Sequence, residues 1–407
     1  MSPFSLLIVD DDPVFSRYVR QLVLSLRNDM LCEPECVDTA DRAITELGHK
    51  TYELVLLDYN LPDSDGLKVL AQIRELPVVQ QPAVIMLTAS GNESIAVEAM
   101  KRGARDYLTK ADLDVLPLTR AIQSALAQKR LADQVAAYNL QMQEDLAMAR
   151  QLQQSLLPTV HPSFPPSASR EQSTLRFYHR FQPATELAGD FFNVMALSDH
   201  RAGVFICDVM GHGVRSALVT AILRTLADDL APRIHDPGQF LAEMNRKLTA
   251  LIQPAGTPLY ATAFYLVVDI AAGDMRFANA GHPRPLHLQS RSGKVTRLEV
   301  EPRSGPALGL FAHATYATCS SPLTPADLVL LFTDGLFEVL SADGREDYGQ
   351  ARLLAAAQRH LHLSPQEILD ALFSEVLAFS GVAEFNDDVC LLGMEVGQIE
   401  APGSPMN

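Results

Sequence analysis

The sequence predicts a doubly wound parallel α/β domain, then a long helix, then an α+β domain built as a β-sandwich flanked by helices. Three observations predict it. Between residues 1 and 117 short apolar runs alternate with stretches of helical spacing, the pattern of a parallel sheet covered on both faces. Between Pro117 and Pro158 there is no proline or glycine. From 176 onward apolar runs, turns and pairs of helical stretches mix, which is an α+β pattern.

Composition bounds the chemistry. A chain of 407 residues predicts two or three domains. It is 47% hydrophobic and 20% charged, ordinary for a soluble globular protein. Its net charge of −16 argues against a nucleic-acid surface, which is usually basic, and suits cations or basic partners. No apolar run reaches the roughly 18–20 residues of a membrane span. The opening MSPFSLLIVDDD has no basic stretch before its apolar run, so no secretory signal is expected. The five cysteines are scattered and odd in number, which predicts buried thiols and a cytoplasmic protein.

In the first domain, Leu6–Val9 runs into Asp10-Asp11-Asp12, and Val14–Leu26 follows with helical spacing. Leu54–Leu57 ends at Asp58, with Leu67–Arg74 as its helix. Val84–Leu87 ends at Thr88, Ser94–Arg102 reads as helix and Gly103 as its stop. Arg105–Thr109 ends at Lys110. Ligands of such sheets bind beyond the carboxyl ends of the strands. Asp11, Asp12, Asp58, Thr88 and Lys110 are therefore expected on one edge. Crowded carboxylates repel unless a cation joins them, and an all-oxygen site suits Mg²⁺. A carboxylate beside Mg²⁺ can attack phosphorus. Lys110 and the Thr88 hydroxyl would hold the new phosphoryl oxygens, and the small Ala89 leaves access.

Over residues 4–120 this set resembles the receiver domain of bacterial response regulators. The residues that carry it are Asp11-Asp12, Asp58 with Leu61-Pro62 and Asp65-Gly66, Thr88-Ala89, Tyr107 and Lys110. The resemblance implies a flavodoxin-like, five-stranded domain over 1–120. It implies Asp58 as phospho-acceptor, Asp11 and Asp12 holding Mg²⁺ with Asp58, and Thr88 and Tyr107 as switch residues. A sensor histidine kinase would be the phosphoryl donor.

The segment 121–157 is expected to be helical. Leu131, Val135, Tyr138, Met142, Ala149, Leu152 and Leu156 fall at alternating steps of four and three, with Asp145 in the remaining seat. That 3.5-residue repeat marks a two-helix seam. A helix of this length spans roughly 60 Å and cannot bury its stripe alone, so a homodimer through it is expected. An amphipathic connector packed on its own domains is the alternative. Residues 158–175, with four prolines and several serines, read as a linker. The last domain covers 176–396, and 397–407 reads as a disordered tail.

In that domain several acids border apolar runs. Asp190 follows Gly189, Asp208 follows Val204–Cys207, Asp334 follows Leu328–Phe332, and Asp387-Asp388 precedes Val389–Leu392. Asn279–Pro283 reads as a tight turn between two strands. Helical patterns occupy Val214–Leu230, Pro237–Leu251, Ala351–His360 and Pro365–Ala378. Separated acids with no Cys/His cluster suggest a shared site for hard cations, Mg²⁺ or Mn²⁺ rather than zinc. Two such ions roughly 3.5–4 Å apart would activate a water toward phosphorus.

The motifs over 145–396 resemble the metal-dependent protein phosphatase (PPM) family, in its bacterial SpoIIE/RsbU-type branch. They are Ala149–Pro158, Glu186 with Gly189-Asp190-Phe191-Phe192, Asp208–Gly213, Ala280–Pro283, Phe332–Gly335 and Asp387-Asp388. The resemblance implies that Asp208 bridges two metals and that the Val209 carbonyl ligates one of them. Asp334 and Asp387 would complete the other ion's shell, with Asp190 as ligand or outer support. His212 and His282 could donate a proton or merely hold turns. Arg215 and Arg284 could grip phosphate or be surface residues.

The reading is a two-component response regulator with metal-dependent phosphoserine/phosphothreonine phosphatase output, controlled through Asp58. The family suggests a phosphorylated STAS-domain anti-sigma-factor antagonist as substrate. The alternative is a catalytically silent, phosphorylation-gated adaptor that binds a sigma factor or its regulator.

Overall fold

The structure is a computed structural model. It describes residues 4–26, 33–89, 93–156, 158, 160–211, 213–252, 259–301, 304–381 and 385–397. It divides into two compact units, 1–144 and 145–407.

In the first unit five strands, β1 (Leu6–Val9), β2 (Glu35–Val37), β3 (Leu54–Asp58), β4 (Ala83–Thr88) and β5 (Asp106–Thr109), form a sheet ordered β2-β1-β3-β4-β5. Every pairing is parallel. Alternate residues of the apolar runs feed opposite faces. Leu6, Ile8, Leu54, Leu56 and Ile85 pack with Val19 and Val23 of α1 (Pro13–Ser25). Leu7, Val9, Val55, Leu57 and Val84 pack with residues of α2 (Ala40–His49), α3 (Gly66–Glu75) and α4 (Glu93–Lys101). Strands buried on both faces read as continuous apolar runs, which is why β1, β3 and β4 are visible in the sequence. The residue pattern does not announce β2: it has three residues and one buried side chain.

Helix α5 runs Val115–Leu156 without interruption. Its early turns bury Leu118, Ala121, Ile122, Ala125 and Leu126 in the first unit's core. Past that point Leu131, Val135, Tyr138, Met142 and Leu152 of the heptad stripe are exposed among the described residues, and Ala149 is half-buried. The side chain of Leu156 lies outside the described residues.

The second unit is a sandwich of two antiparallel sheets. One is ordered β13-β10-β9-β8-β7 and the other β12-β11-β14-β15-β6. The first contains β7 (Asp190–Ser198), β8 (Arg201–Val209), β9 (Ala261–Asp269), β10 (Asp274–Ala280) and β13 (Cys319–Pro322). The second contains β6 (Leu175–Gln182), β11 (Leu286–Gln289), β12 (Lys294–Arg297), β14 (Asp327–Phe332) and β15 (Val389–Val396). Their facing sides share one core that includes Phe192, Ile206, Phe264, Phe177, Leu331 and Leu392. Helices α6 (Val214–Leu230) and α7 (Pro237–Ile252) cover the first sheet. Helices α8 (Gly349–Arg359) and α9 (Pro365–Ser380) cover the second.

The expected 279–283 turn does connect two strands, β10 and β11, which lie in different sheets. One sequence expectation changes. Residues 160–174 do not behave as a free linker: Phe164 is fully buried in the sandwich core, and its amide donates to Ser173. Of the expected tail, 397–407, Gly397 is described and its amide donates to the Thr174 carbonyl at 2.8 Å; 398–407 lie outside the described residues.

Candidate functional sites

At the carboxyl edge of the parallel sheet, Asp10 follows β1, Asp58 ends β3, Thr88 ends β4 and Lys110 follows β5. The Lys110 ammonium lies 2.7 Å from Asp10 Oδ2 and 2.9 Å from Asp58 Oδ2. Asp10, Asp11 and Asp58 each offer an oxygen within 4.8 Å of the others. Burial, with Asp10 close by, pushes the Asp58 carboxyl up, although Lys110 opposes the shift. Burial opposes charge on Lys110, but its bonds to Asp10 and Asp58 win and its pKa rises. Gly66 packs on the Asp58 backbone so closely that a Cβ would lie 2.4 Å from the Asp58 carbonyl. Thr88 is buried and Tyr107 is exposed.

The membership of this cluster corrects the sequence reading. Asp12 is the N-cap of α1, its carboxylate accepting from the amides of Val14 and Phe15 at 2.8 and 3.2 Å. Asp10 takes the place expected of Asp12, beside Asp11 and Asp58. A carboxylate that caps a helix with two amides is directed at the helix, not across the sheet edge.

In the sandwich, Asp190 opens β7 directly opposite Asp208 on β8. Asp190 accepts from the Thr333 hydroxyl at 2.6 Å, and that oxygen accepts from the Cys390 amide at 2.9 Å. Asp334 begins a 3-10 turn after β14. Asp388 accepts from the amides of Ala184 (2.8 Å) and Gly189 (2.6 Å). Asp387 is exposed and accepts from the Asp388 amide. Gly189 sits where a Cβ would come within 2.7 Å of the Val209 carbonyl, and the Val209 amide donates to the Gly189 carbonyl at 3.2 Å. A side chain at 189 would push on the carbonyl expected to face a metal.

The electrostatics are those of a site short of positive charge. Burial, then Asp334 and Asp387, raise Asp208 to about 7. Burial, then Asp208, lift Asp190 well above the usual carboxylate range. Burial, then Glu338 and Asp387, raise Asp334, and burial raises Asp388 despite its two amide donors. Among the described residues no lysine or arginine neutralises these acids. Crowded carboxylates with raised pKa values and oxygen donors fit divalent hard cations. Among the described residues, only the first-unit trio brings three such side chains within 4.8 Å of one another.

His282 is buried, its ring Nδ1 2.8 Å from the Thr262 hydroxyl and its backbone bonded at both ends to the Asn279 side chain. Burial drops its pKa to about 3, so it is a neutral turn residue in this environment. His212 lies outside the described residues. Arg284 is ion-paired with Glu299, and Arg215 is exposed.

Sequence reasoning missed four residues around the site. Glu338 stands one helical turn after Asp334, a spacing that was available to read. Thr333 and Asp388 act through partners far away in sequence. A fourth, Gln153 near the end of α5, makes a reciprocal amide pair with Ala188: its Nε2 donates to the Ala188 carbonyl (2.7 Å) and its Oε1 accepts the Ala188 amide (2.9 Å).

Comparison with known proteins agrees with this architecture. Residues 6–122 match the family model described as response regulator receiver domain, and residues 198–397 match that described as Stage II sporulation protein E (SpoIIE). The chain is 31% identical over 204 residues to phosphoserine phosphatase RsbP of Bacillus subtilis, covering 49% of this chain and 47% of that protein. It is 23% identical over 252 residues to phosphoserine phosphatase RsbU of the same organism, covering 62% of this chain and 70% of that protein. The match thus spans about half the length of the first relative. The solved SiaA-PP2C domain of Pseudomonas aeruginosa shares the fold, with a TM-score of 0.54 at 21% identity, over 64% of this chain and 99% of that one.

Proposed function

We propose that this chain, a response-regulator receiver domain followed by a SpoIIE-type domain, is a metal-dependent phosphoserine/phosphothreonine protein phosphatase governed by phosphorylation of Asp58. The observation that carries the reading is the set Asp190, Asp208, Asp334 and Asp387 at strand ends, where among the described residues no lysine or arginine is paired with them.

Two Mn²⁺ or Mg²⁺ ions, when bound, would supply an activated water and polarise the phosphoryl group. Asp208, the Val209 carbonyl, Asp334 and Asp387 would hold them. Asp190, fixed by Thr333, orients that set, and Asp388 holds Gly189 and Ala184 in place. In the receiver, Asp10, Asp11 and Asp58 would hold Mg²⁺. Asp58 would take the phosphoryl group from a sensor histidine kinase, Lys110 would hold it, and Thr88 and Tyr107 would respond. RsbP and RsbU are named phosphoserine phosphatases. By the family resemblance of its motifs, the substrate would be a phosphorylated STAS-domain anti-sigma-factor antagonist in the cytoplasm. The exposed stripe of α5 would join two copies of the chain.

The test is Mn²⁺-dependent hydrolysis of a phosphoserine peptide by wild type and Asp208→Ala. Loss on the order of 10²-fold or more is expected, the equivalent of several kcal/mol of transition-state stabilisation. Equal near-zero rates, with Asp58 phosphorylated and not, would leave the adaptor reading instead.

A further inference from the structure

The second unit contains a cavity of about 390 Å³ walled by charge of both signs. Asp334 and Glu338 contribute to it, as do Arg284, Arg297, Ser304 and Gln350. The two arginines differ. Arg284 is engaged by Glu299. Arg297 closes β12 and is partly buried. Among the described residues it has neither a carboxylate within ion-pair distance nor a hydrogen-bond acceptor for its guanidinium. Strand pairing places Arg297 opposite Leu286, whose side chain lies in the core beneath α8 and α9. The arginine is thus fixed on the cavity wall by a sheet, not carried on a loop.

A guanidinium that faces a cavity without a carboxylate partner is open to an incoming anion. The acids of the same cavity do not fill that role, and any metal held by Asp334 would take up that carboxylate's charge. Guanidinium forks match phosphoryl and carboxylate oxygens bidentately. A cavity of this volume, on the order of 10 Å across, accommodates a phosphorylated side chain and part of its neighbour.

We propose that Arg297 is a substrate-binding residue, which takes an anionic oxygen group of the phosphoprotein as it enters beside Asp334. The group is either the phosphoryl oxygens or a carboxylate flanking the phosphoserine. The proposal rests on the phosphatase reading above.

The test measures Mn²⁺-dependent turnover by the full chain on p-nitrophenyl phosphate, a phosphoserine peptide with neutral flanks and one with acidic flanks. Arg297→Ala is expected to raise KM roughly tenfold or more with kcat little changed, and Arg297→Lys to restore part of the loss. A rise on all three substrates identifies the phosphoryl oxygens; a rise confined to the acidic peptide identifies a flanking carboxylate. Manganese affinity of Arg297→Ala, read by calorimetry, should match wild type. An unchanged KM on every substrate would overturn the proposal, as would loss of manganese binding together with turnover, which marks a structural role. A wild type that hydrolyses nothing with manganese would overturn the phosphatase reading, and this proposal with it.

Discussion

Asp10 and Asp12 are separated by one residue and do different work. Asp12 holds the first turn of α1, and Asp10 faces Lys110 and Asp58. Replacing Asp12 by alanine should therefore cost about 1 kcal/mol of stability and leave Mg²⁺ affinity intact. Asp10→Asn should lose Mg²⁺ affinity without the capping loss. Calorimetric unfolding and Mg²⁺ titration of both variants check this; equal Mg²⁺ affinities would contradict it. The cue to the cap was in the sequence, since an Asp before Pro13 at the first helical position is an N-cap signature. A run of three acids hides where the strand stops.

Asp208 gives a second residue-scale prediction. Its pKa is raised from 3.8 to about 7. Between those values the folded apoprotein keeps a proton that the unfolded chain has lost, so stability falls as pH rises through that window. Asp208→Asn lacks this loss. The stability of metal-free wild type should drop relative to the variant from pH 4 toward 7. The lowered pKa values of His161 and His282, about 4 and 3, run the other way but are common to both proteins and cancel in the difference, whereas Asp190, which Asp208 helps to raise, is relieved in the variant and adds to the drop. A difference flat with pH would refute the shift.

At the scale of elements, α5 has two ends with distinct roles. Its N-terminal turns belong to the first unit's core. Near its C-terminal end Gln153 grips the backbone two residues before Asp190, and Arg150 pairs with Glu186 at 3.2 Å. Removing the Gln153 amide should loosen Asp190 and weaken manganese binding about tenfold, the scale of other supports behind metal ligands. Isothermal titration of Gln153→Ala measures it, and wild-type affinity would deny the coupling. Between the two ends the apolar stripe is exposed. Light scattering should give a dimer for wild type and a monomer for the double variant Leu131→Asp, Val135→Asp; a monomeric wild type would remove the seam. Long helices and buried strands were legible because their spacing is regular over many residues. The short β2 was not, because its pattern is two exposed or half-exposed residues and one buried. The packed course of 160–174 was not legible either, because proline and serine are as compatible with a docked loop as with a free one.

At the scale of the molecule, the order of receiver, helix and sandwich could be read from the chain, as could the acids at the sheet edges. Their geometry could not. Asp388 reaches Ala184 and Gly189, some two hundred positions earlier, and Thr333 reaches Asp190 across the sandwich. Such contacts depend on how two sheets face each other, which no local pattern encodes. The proposed function combines a site that receives a phosphoryl group with one that removes it. The two are on one chain, joined by an unbroken helix. The most direct measurement is Mn²⁺-dependent phosphate release from a phosphoserine peptide, made with Asp58 phosphorylated and unphosphorylated. The account predicts release that requires Asp208, differs between the two states, and no longer differs in Asp58→Asn. Release absent in both states, or identical in both, would contradict it.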